Sequence, residues 1–245
     1  MPVGQVVDTE SAQEFMKEAL GKISESELNA IASELEIKSQ KFRQLLSKDA
    51  IKRLEEVELR ALLRSVFSTR RRADELLGLL GVEGLKGNIY GLLYGAEPLL
   101  LRFQKFFDAL EKAQDYIRFD LAGELLHYNF PDECWLWTRW VWDPKTETGA
   151  LPLVTMEDYD FSVPTMGEIY MKVGEATSFV KATGDAAGFT RIGKGAFGVD
   201  VYLACVYGVY IYTTVRLRIT QEFNRVIPEL PELCRRLLGV HRLEV

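Results

Sequence analysis

Apolar residues recur at intervals of three and four positions along most of the chain, the spacing that places side chains on one face of an α-helix. Three stretches near the N-terminus each carry one such stripe: 11–22, 24–47 and 49–67. Ser11 and Ser24 are each followed three residues later by a glutamate, a capping box that predicts where the first two helices begin. Val57 belongs to the third stripe and is expected to be buried.

The same periodicity continues in the second part of the chain. Further helices are predicted at 99–117, 120–128, 165–182, 199–227 and 231–238. Asp120 is expected to cap the second of these, and Thr165 opens a capping box with Glu168. The pattern predicts a mainly α protein, a multi-helix globule with a helical N-terminal lobe at 1–68 and a second helical domain at 69–245.

The segment 199–227 is ambiguous, because its tyrosines and valines favour a strand whereas its length favours a helix. Part of it, 197–215, is long and almost uncharged, as a membrane span would be. Asp200 near its start and four tyrosines instead favour a buried core helix, so no membrane span is expected.

All four tryptophans fall between residues 135 and 142, where the pattern changes. Residues 135–142 are rich in aromatic side chains, 143–149 are turn-like and 150–155 are again apolar, which predicts a small β-hairpin insertion around 135–155. On a strand the tryptophans would lie on both faces, so both faces would have to be buried against other elements or line a groove. Core positions are favoured for them, while Trp137 and Trp140 are the alternative candidates for contact with a partner, since tryptophan is also frequent at interfaces.

Composition limits the classes of ligand. The chain has 30 Lys and Arg against 36 Asp and Glu, a net charge of −6, so binding of nucleic acid would require a local basic patch. Three scattered cysteines indicate reduced thiols in a cytosol-like compartment. Because the N-terminus has no basic and then apolar signal sequence, a cytoplasmic location is expected.

One candidate basic patch contains Arg70, Arg71 and Arg72. The glycine-rich stretch that follows, 76–89, resembles the phosphate-binding turn of helix-hairpin-helix motifs and includes Lys86. The competing interpretations are a solvated helix start for the arginines and ordinary helix C-caps for Gly81 and Gly84.

No motif indicates catalysis, a cofactor or a metal site. Residues 192–198 are similar to the glycine-rich loop of protein kinases, but no lysine follows Lys194 and the other kinase motifs are absent. The two histidines, His127 and His241, lack partners at metal-binding spacing. Enzyme activity would therefore need an unrecognised site, for which the vicinity of His127 is the candidate.

The sequences AGELLH (122–127) and PDECWLW (131–137), followed later by Val199 and Asp200, resemble a helical accessory domain of 5-methylcytosine-restriction-type AAA ATPases and related defence proteins. The resemblance covers about 89–212. It implies an accessory or recognition module that works beside a partner. The chain lacks an ATPase module and a nuclease signature, and Cys134-Trp135 replaces the aromatic-proline pair of that family.

Three functions follow from these observations. The leading one is a non-enzymatic binding or adaptor subunit with a protein partner in a larger assembly, presenting Trp137, Trp140 and arginines. The alternative is a nucleic-acid-binding accessory module that uses residues 70–72 and Lys86. The third is the enzyme with an unrecognised site.

Overall fold

The computed structural model of the chain describes residues 6–187, 195–218 and 228–241. The described residues form ten α-helices and one short 3-10 helix at Leu151–Leu153. The α-helices are α1 (Thr9–Leu20), α2 (Glu25–Leu46), α3 (Ala50–Arg53), α4 (Glu56–Ser65), α5 (Ala73–Tyr94), α6 (Leu99–Ala109), α7 (Asp115–Asn129), α8 (Met166–Ala187), α9 (Gly198–Arg218) and α10 (Leu230–Leu237). The prediction of a mainly α protein is confirmed.

The predicted β-hairpin around 135–155 is wrong. Within the described part of the chain there is no strand, and β-bridges occur singly, between Asp143 and Thr148 and between Val7 and Thr155. The Ala150 N–H donates to the Trp140 carbonyl at 2.8 Å, but the chain then turns into the 3-10 helix. Strand propensity expresses how well a side chain fits a half-buried surface, and here the aromatic rings pack among helices instead.

Several helix ends differ from those predicted. The stretch 49–67 breaks at Leu54, which has an extended ψ of 124°, and Glu55 with Glu58 forms a new capping box that starts α4. Asp120 caps nothing, because α7 already begins at Asp115. The cap of α1 is Asp8, whose carboxylate accepts hydrogen bonds from the Glu10 and Ser11 N–H groups. Glu55 and Gln114 are not among the preferred N-cap residues, whereas Asp8 is one and was passed over in favour of Ser11.

Other expectations hold. Ser24 with Glu27 and Thr165 with Glu168 make the reciprocal hydrogen bonds of capping boxes. The helical interpretation of the ambiguous segment is confirmed as far as Arg218, and the rest of it, 219–227, lies outside the described residues. Three residues of the kinase-like loop, 192–194, also lie outside them. Among the helices that the structure describes, none is both long and apolar enough to cross a membrane.

The chain separates into two compact units, each assembled from distant stretches. The first unit contains Met1–Leu35, Trp140–Asp160 and Glu175–Val245, and the second contains Glu36–Arg139 and Phe161–Gly174. The units are defined by spatial contacts, and the domain boundary expected at residue 68 stays a prediction.

In the first unit, α9 packs against α1 and α10. The Tyr202 hydroxyl donates to the Ala12 carbonyl at 3.0 Å, which joins α9 to α1. At the contact with α10, Gly208 leaves room for the Leu230 side chain, whose Cδ1 would lie 2.5 Å from a Cβ added at Gly208. The Trp140 indole donates to the Leu237 carbonyl at 3.0 Å, so this ring belongs to the packing around α10.

In the second unit, α7 is the central element, and every residue from 117 to 129 is buried. Such a helix needs apolar neighbours on all sides, which explains why its sequence shows no amphipathic stripe. The Trp137 ring stacks on Phe119 at 4.5 Å and on Phe103 at 5.5 Å between ring centroids. Gly123 allows the Trp137 backbone to approach α7, since a Cβ there would lie 2.1 Å from the Trp137 carbonyl oxygen.

Candidate interaction surface

The turn between α4 and α5, residues 66–72, is held by one side-chain and one backbone hydrogen bond. The buried Thr69 hydroxyl donates to the Leu63 carbonyl at 2.5 Å, and the Arg72 N–H donates to the Thr69 carbonyl at 2.8 Å. These bonds close the turn against the end of α4. The residues between them, including Arg70 and Arg71, are therefore presented on a fixed backbone.

Phe67 lies on this turn with 58% of its surface exposed. Val57, ten residues earlier and at the start of α4, is 66% exposed, which corrects the expectation that it is buried. Ten helical residues span about 15 Å, a distance that one protein interface readily covers. Aromatic residues such as Phe67 are enriched at protein interfaces.

The arginines around the turn fall into two groups. Arg60, Arg64 and Arg72 pair with carboxylates on α4 and α5; the distances are Arg60–Asp74 2.7 Å, Arg60–Glu56 2.6 Å, Arg64–Asp74 3.6 Å and Arg72–Glu75 2.7 Å. The hydrogen bond from Arg60 lowers the pKa of the Asp74 carboxyl. Arg70 and Arg71, in contrast, are exposed and have no carboxylate partner within the described part of the chain. They are the guanidinium groups that remain available to a ligand.

The charge around the turn is balanced. Between residues 55 and 75 there are five acidic and five basic side chains, a net charge of zero. Phosphate backbones are attracted by an excess of positive charge, and this stretch has none. The turn is therefore a mixed surface with two unpaired guanidinium groups and one exposed aromatic ring.

Lys86, the remaining member of the predicted basic site, lies apart from the arginines. It follows the kink of α5 at Gly81, whose φ of 69° and ψ of 170° lie in a region open essentially to glycine alone and not in the left-handed helical conformation of a C-cap. Its side chain is 10% exposed and its ammonium lies 2.8 Å from the Glu83 carboxylate, in a cleft beside α3. No contact within the described residues joins it to Arg70, Arg71 or Arg72.

The tryptophans do not contribute rings to this surface. Trp137 is 0% exposed and Trp140 is 8% exposed, so the core interpretation is confirmed for both. Their large apolar rings are used for packing within the protein. The exposed ring is Phe67, which the sequence did not single out because it falls at the end of an apolar stripe that looks like helix core.

The groups most capable of acid–base chemistry are sealed inside the second unit. The Lys38 ammonium lies 2.6 Å from the Glu124 carboxylate, and both side chains are buried. Burial raises the pKa of Glu124, against the opposing effect of Lys38, and burial raises the pKa of Asp120 well above its usual range. His127 is fully buried, and its Nδ1 lies 2.7 Å from the Cys134 carbonyl oxygen. No substrate reaches these groups in this conformation.

No cluster of three metal-binding side chains occurs in the part of the chain that the structure describes. Comparison with known proteins adds no assignment, since no family model, curated protein or solved structure matches the chain.

Proposed function

We propose that this protein is a non-enzymatic binding module that docks onto an acidic segment of a protein partner. The docking surface, which we call the α4–α5 surface, consists of Val57, Phe67, Arg70 and Arg71. The observation that carries the proposal is the exposed Phe67 ring beside two guanidinium groups without carboxylate partners, on a turn fixed by hydrogen bonds.

The chemistry of the surface indicates the partner. Arginine and aromatic residues are enriched among the residues that dominate protein interfaces. Two free guanidinium groups favour carboxylates, which they bind with two parallel hydrogen bonds. Phe67 favours an apolar or aromatic side chain nearby. A segment with acidic residues next to an apolar one satisfies all of these groups.

A protein ligand fits better than a nucleic acid at this surface. Glu56, Asp74 and Glu75 neutralise Arg60 and Arg72, so the surface has no extended run of unpaired positive charge of the kind that a phosphate backbone follows. One or two carboxylates next to an apolar side chain require only Arg70, Arg71 and Phe67. The resemblance to an accessory domain of restriction ATPases implies an accessory or recognition module that acts on or beside a partner, and a binding module of the proposed kind is consistent with that.

The test is affinity capture from a lysate of the host with the tagged chain, after nuclease treatment. Phe67→Ala is expected to reduce recovery of a specific partner by about thirtyfold, since truncating a central aromatic residue of an interface typically costs about 2 kcal/mol or more. The double variant Arg70→Gln, Arg71→Gln should bind the same partner more weakly, and its binding should depend less on salt. Leu101→Ala is the control, because Leu101 is also an exposed apolar residue but lies on α6.

Two results would count against the proposal. The first is a partner that binds all of these variants equally well. The second is a partner that nuclease removes, which would shift the function to nucleic-acid binding. The tryptophan fluorescence of each variant reports whether the fold is intact, since Trp137 and Trp140 are buried.

A further inference from the structure

A cleft of about 310 Å³ lies in the second unit between α3 and the part of α5 that follows the Gly81 kink. It is lined by Ile51, Lys52, Glu83, Lys86, Gly87 and Tyr90. Pockets that bind small ligands have volumes from about 300 Å³ upwards, so the cleft accepts a ligand of modest size. It is separate from the α4–α5 surface in its residues.

A lysine lies near a tyrosine ring in the cleft, and a second such pair lies next to it. The Lys52 ammonium lies 5.9 Å from the centre of the Tyr90 ring, and the Lys48 ammonium lies 5.4 Å from the centre of the Tyr94 ring. The two rings are 5.4 Å apart. Tyr94 is fixed by the hydrogen bond from its hydroxyl to the Leu46 carbonyl, whereas the Tyr90 hydroxyl makes no hydrogen bond to a described residue. Tyr90 is therefore the ring that is available to a ligand.

The charged side chains that line the cleft are Lys52, Lys86 and Glu83, a net charge of +1, whereas the whole chain carries −6. Asp49 and Glu83 are 85% exposed, and each pairs with a lysine three residues away. The Asp49–Lys52 pair is exposed at both ends and contributes little energy, so an incoming anion can displace Asp49 from Lys52.

We propose that this cleft, which we call the α3–α5 cleft, binds a nucleotide, with its base against Tyr90 and its phosphate near Lys52 and Lys86. Stacking on an aromatic side chain and pairing with lysines are the two interactions by which proteins bind nucleotides without sequence preference. Ile51 supplies an apolar wall for the base. The nucleotide is either free in solution or one unit of a single-stranded nucleic acid, since both present the same groups.

The cleft offers a matched pair of variants that should not harm the fold. Gly87 lines the cleft and Gly91 lies one turn later on α5; nothing lies within 4 Å of a Cβ added at either position. Leucine favours a helix more than glycine does, so Gly87→Leu and Gly91→Leu should both fold. Gly87→Leu fills the cleft, whereas Gly91→Leu does not.

The experiment measures binding of adenosine monophosphate, of a short single-stranded deoxyadenosine oligomer and of inorganic phosphate to the intact chain by calorimetry. Gly87→Leu and Tyr90→Ala are each expected to lower the affinity for both adenosine ligands about tenfold or more, which is the effect of losing one stacked base. Tyr90→Phe and Gly91→Leu should bind as the wild type does. Inorganic phosphate should bind more weakly than the monophosphate, because it has no base.

Relative affinity for the monophosphate and the oligomer distinguishes free nucleotide from nucleic acid as the source. Failure of both ligands to bind at millimolar concentration would overturn the proposal. Equal binding by the wild type and Gly87→Leu would also overturn the proposal. So would binding that depends on Arg70 and Arg71 instead of the residues of the cleft.

Discussion

Replacement of Gly123 by alanine tests the packing at the centre of the second unit. A Cβ at this position would lie 2.1 Å from the Trp137 carbonyl oxygen and 3.0 Å from the Trp137 C and N atoms. The obstacle is backbone, which cannot rotate away as a side chain would. Restoring an ordinary contact requires α7 and the Trp137 backbone to separate by about 1 Å, which disturbs a close-packed core.

The size of the effect follows from two opposing contributions. Overpacking of this kind costs about 3 kcal/mol, while alanine in place of a helical glycine contributes about 1 kcal/mol of stability. We therefore expect Gly123→Ala to lower the free energy of unfolding by about 2 kcal/mol. Gly91→Ala is the matched control, because a Cβ there meets nothing within 4 Å, and it should raise stability by about 0.5–1 kcal/mol.

The assay is urea denaturation followed by tryptophan fluorescence, because Trp137 is buried beside the substituted residue. With a slope of about 2 kcal/mol per molar urea, the midpoints of the two variants should differ by about 1.3 M. If Gly123→Ala unfolds at the same urea concentration as Gly91→Ala, the close approach of Trp137 to α7 is refuted.

Two further predictions concern the buried polar groups of α7. Because burial raises the pKa of Asp120 above its ordinary value of 3.8, the ionised carboxylate destabilises the fold, and stability falls as pH rises above that value. Asp120→Asn retains an acceptor for the Arg139 N–H. In thermal unfolding at pH 7 this variant should therefore be more stable than the wild type, and the difference should disappear near pH 4. A difference in stability that does not change with pH would contradict this. Lys38→Met should cost about 3–5 kcal/mol at pH 7, because it leaves Glu124 buried without its ion pair. Since burial raises the pKa of Glu124, this cost should shrink as the pH is lowered. Lys38→Met combined with Glu124→Met should restore most of the stability, and a double variant as unstable as the single one would count against the ion pair.

Local patterns were sufficient for the amphipathic helices. Helices α2 and α8 have one apolar face and begin with a capping box, so their sequences determine both where they start and how they pack. Helix α7 could not be placed correctly, because it is buried on all sides and therefore has no stripe, and because Gln114 at its start makes no side-chain cap. The β-hairpin was predicted from aromatic residues whose burial is decided by distant helices, which no local pattern shows.

For the candidate sites, too, the sequence shows the residue types, whereas their exposure and pairing are decided by the fold. Arginine runs are visible in a sequence, but which guanidinium groups remain free depends on Asp74 and Glu75 and on the geometry of the turn. Lys86 was selected for its neighbouring glycines, yet its place in a cleft results from the packing of α3 against α5, and the sequence did not predict α3 as a helix separate from α4. Phe67 looked like a core residue because it ends an apolar stripe, and the sequence alone does not show whether a given apolar residue is exposed.

The most direct test of the proposed docking surface is photo-crosslinking in the host with benzoylphenylalanine in place of Phe67. The same substitution at Leu101, which is exposed on α6, is the control. The account predicts a crosslinked protein species at Phe67 that is absent at Leu101 and that disappears when Arg70 and Arg71 are both changed to glutamine. Crosslinks to nucleic acid at Phe67, or a pattern identical to that at Leu101, would contradict it.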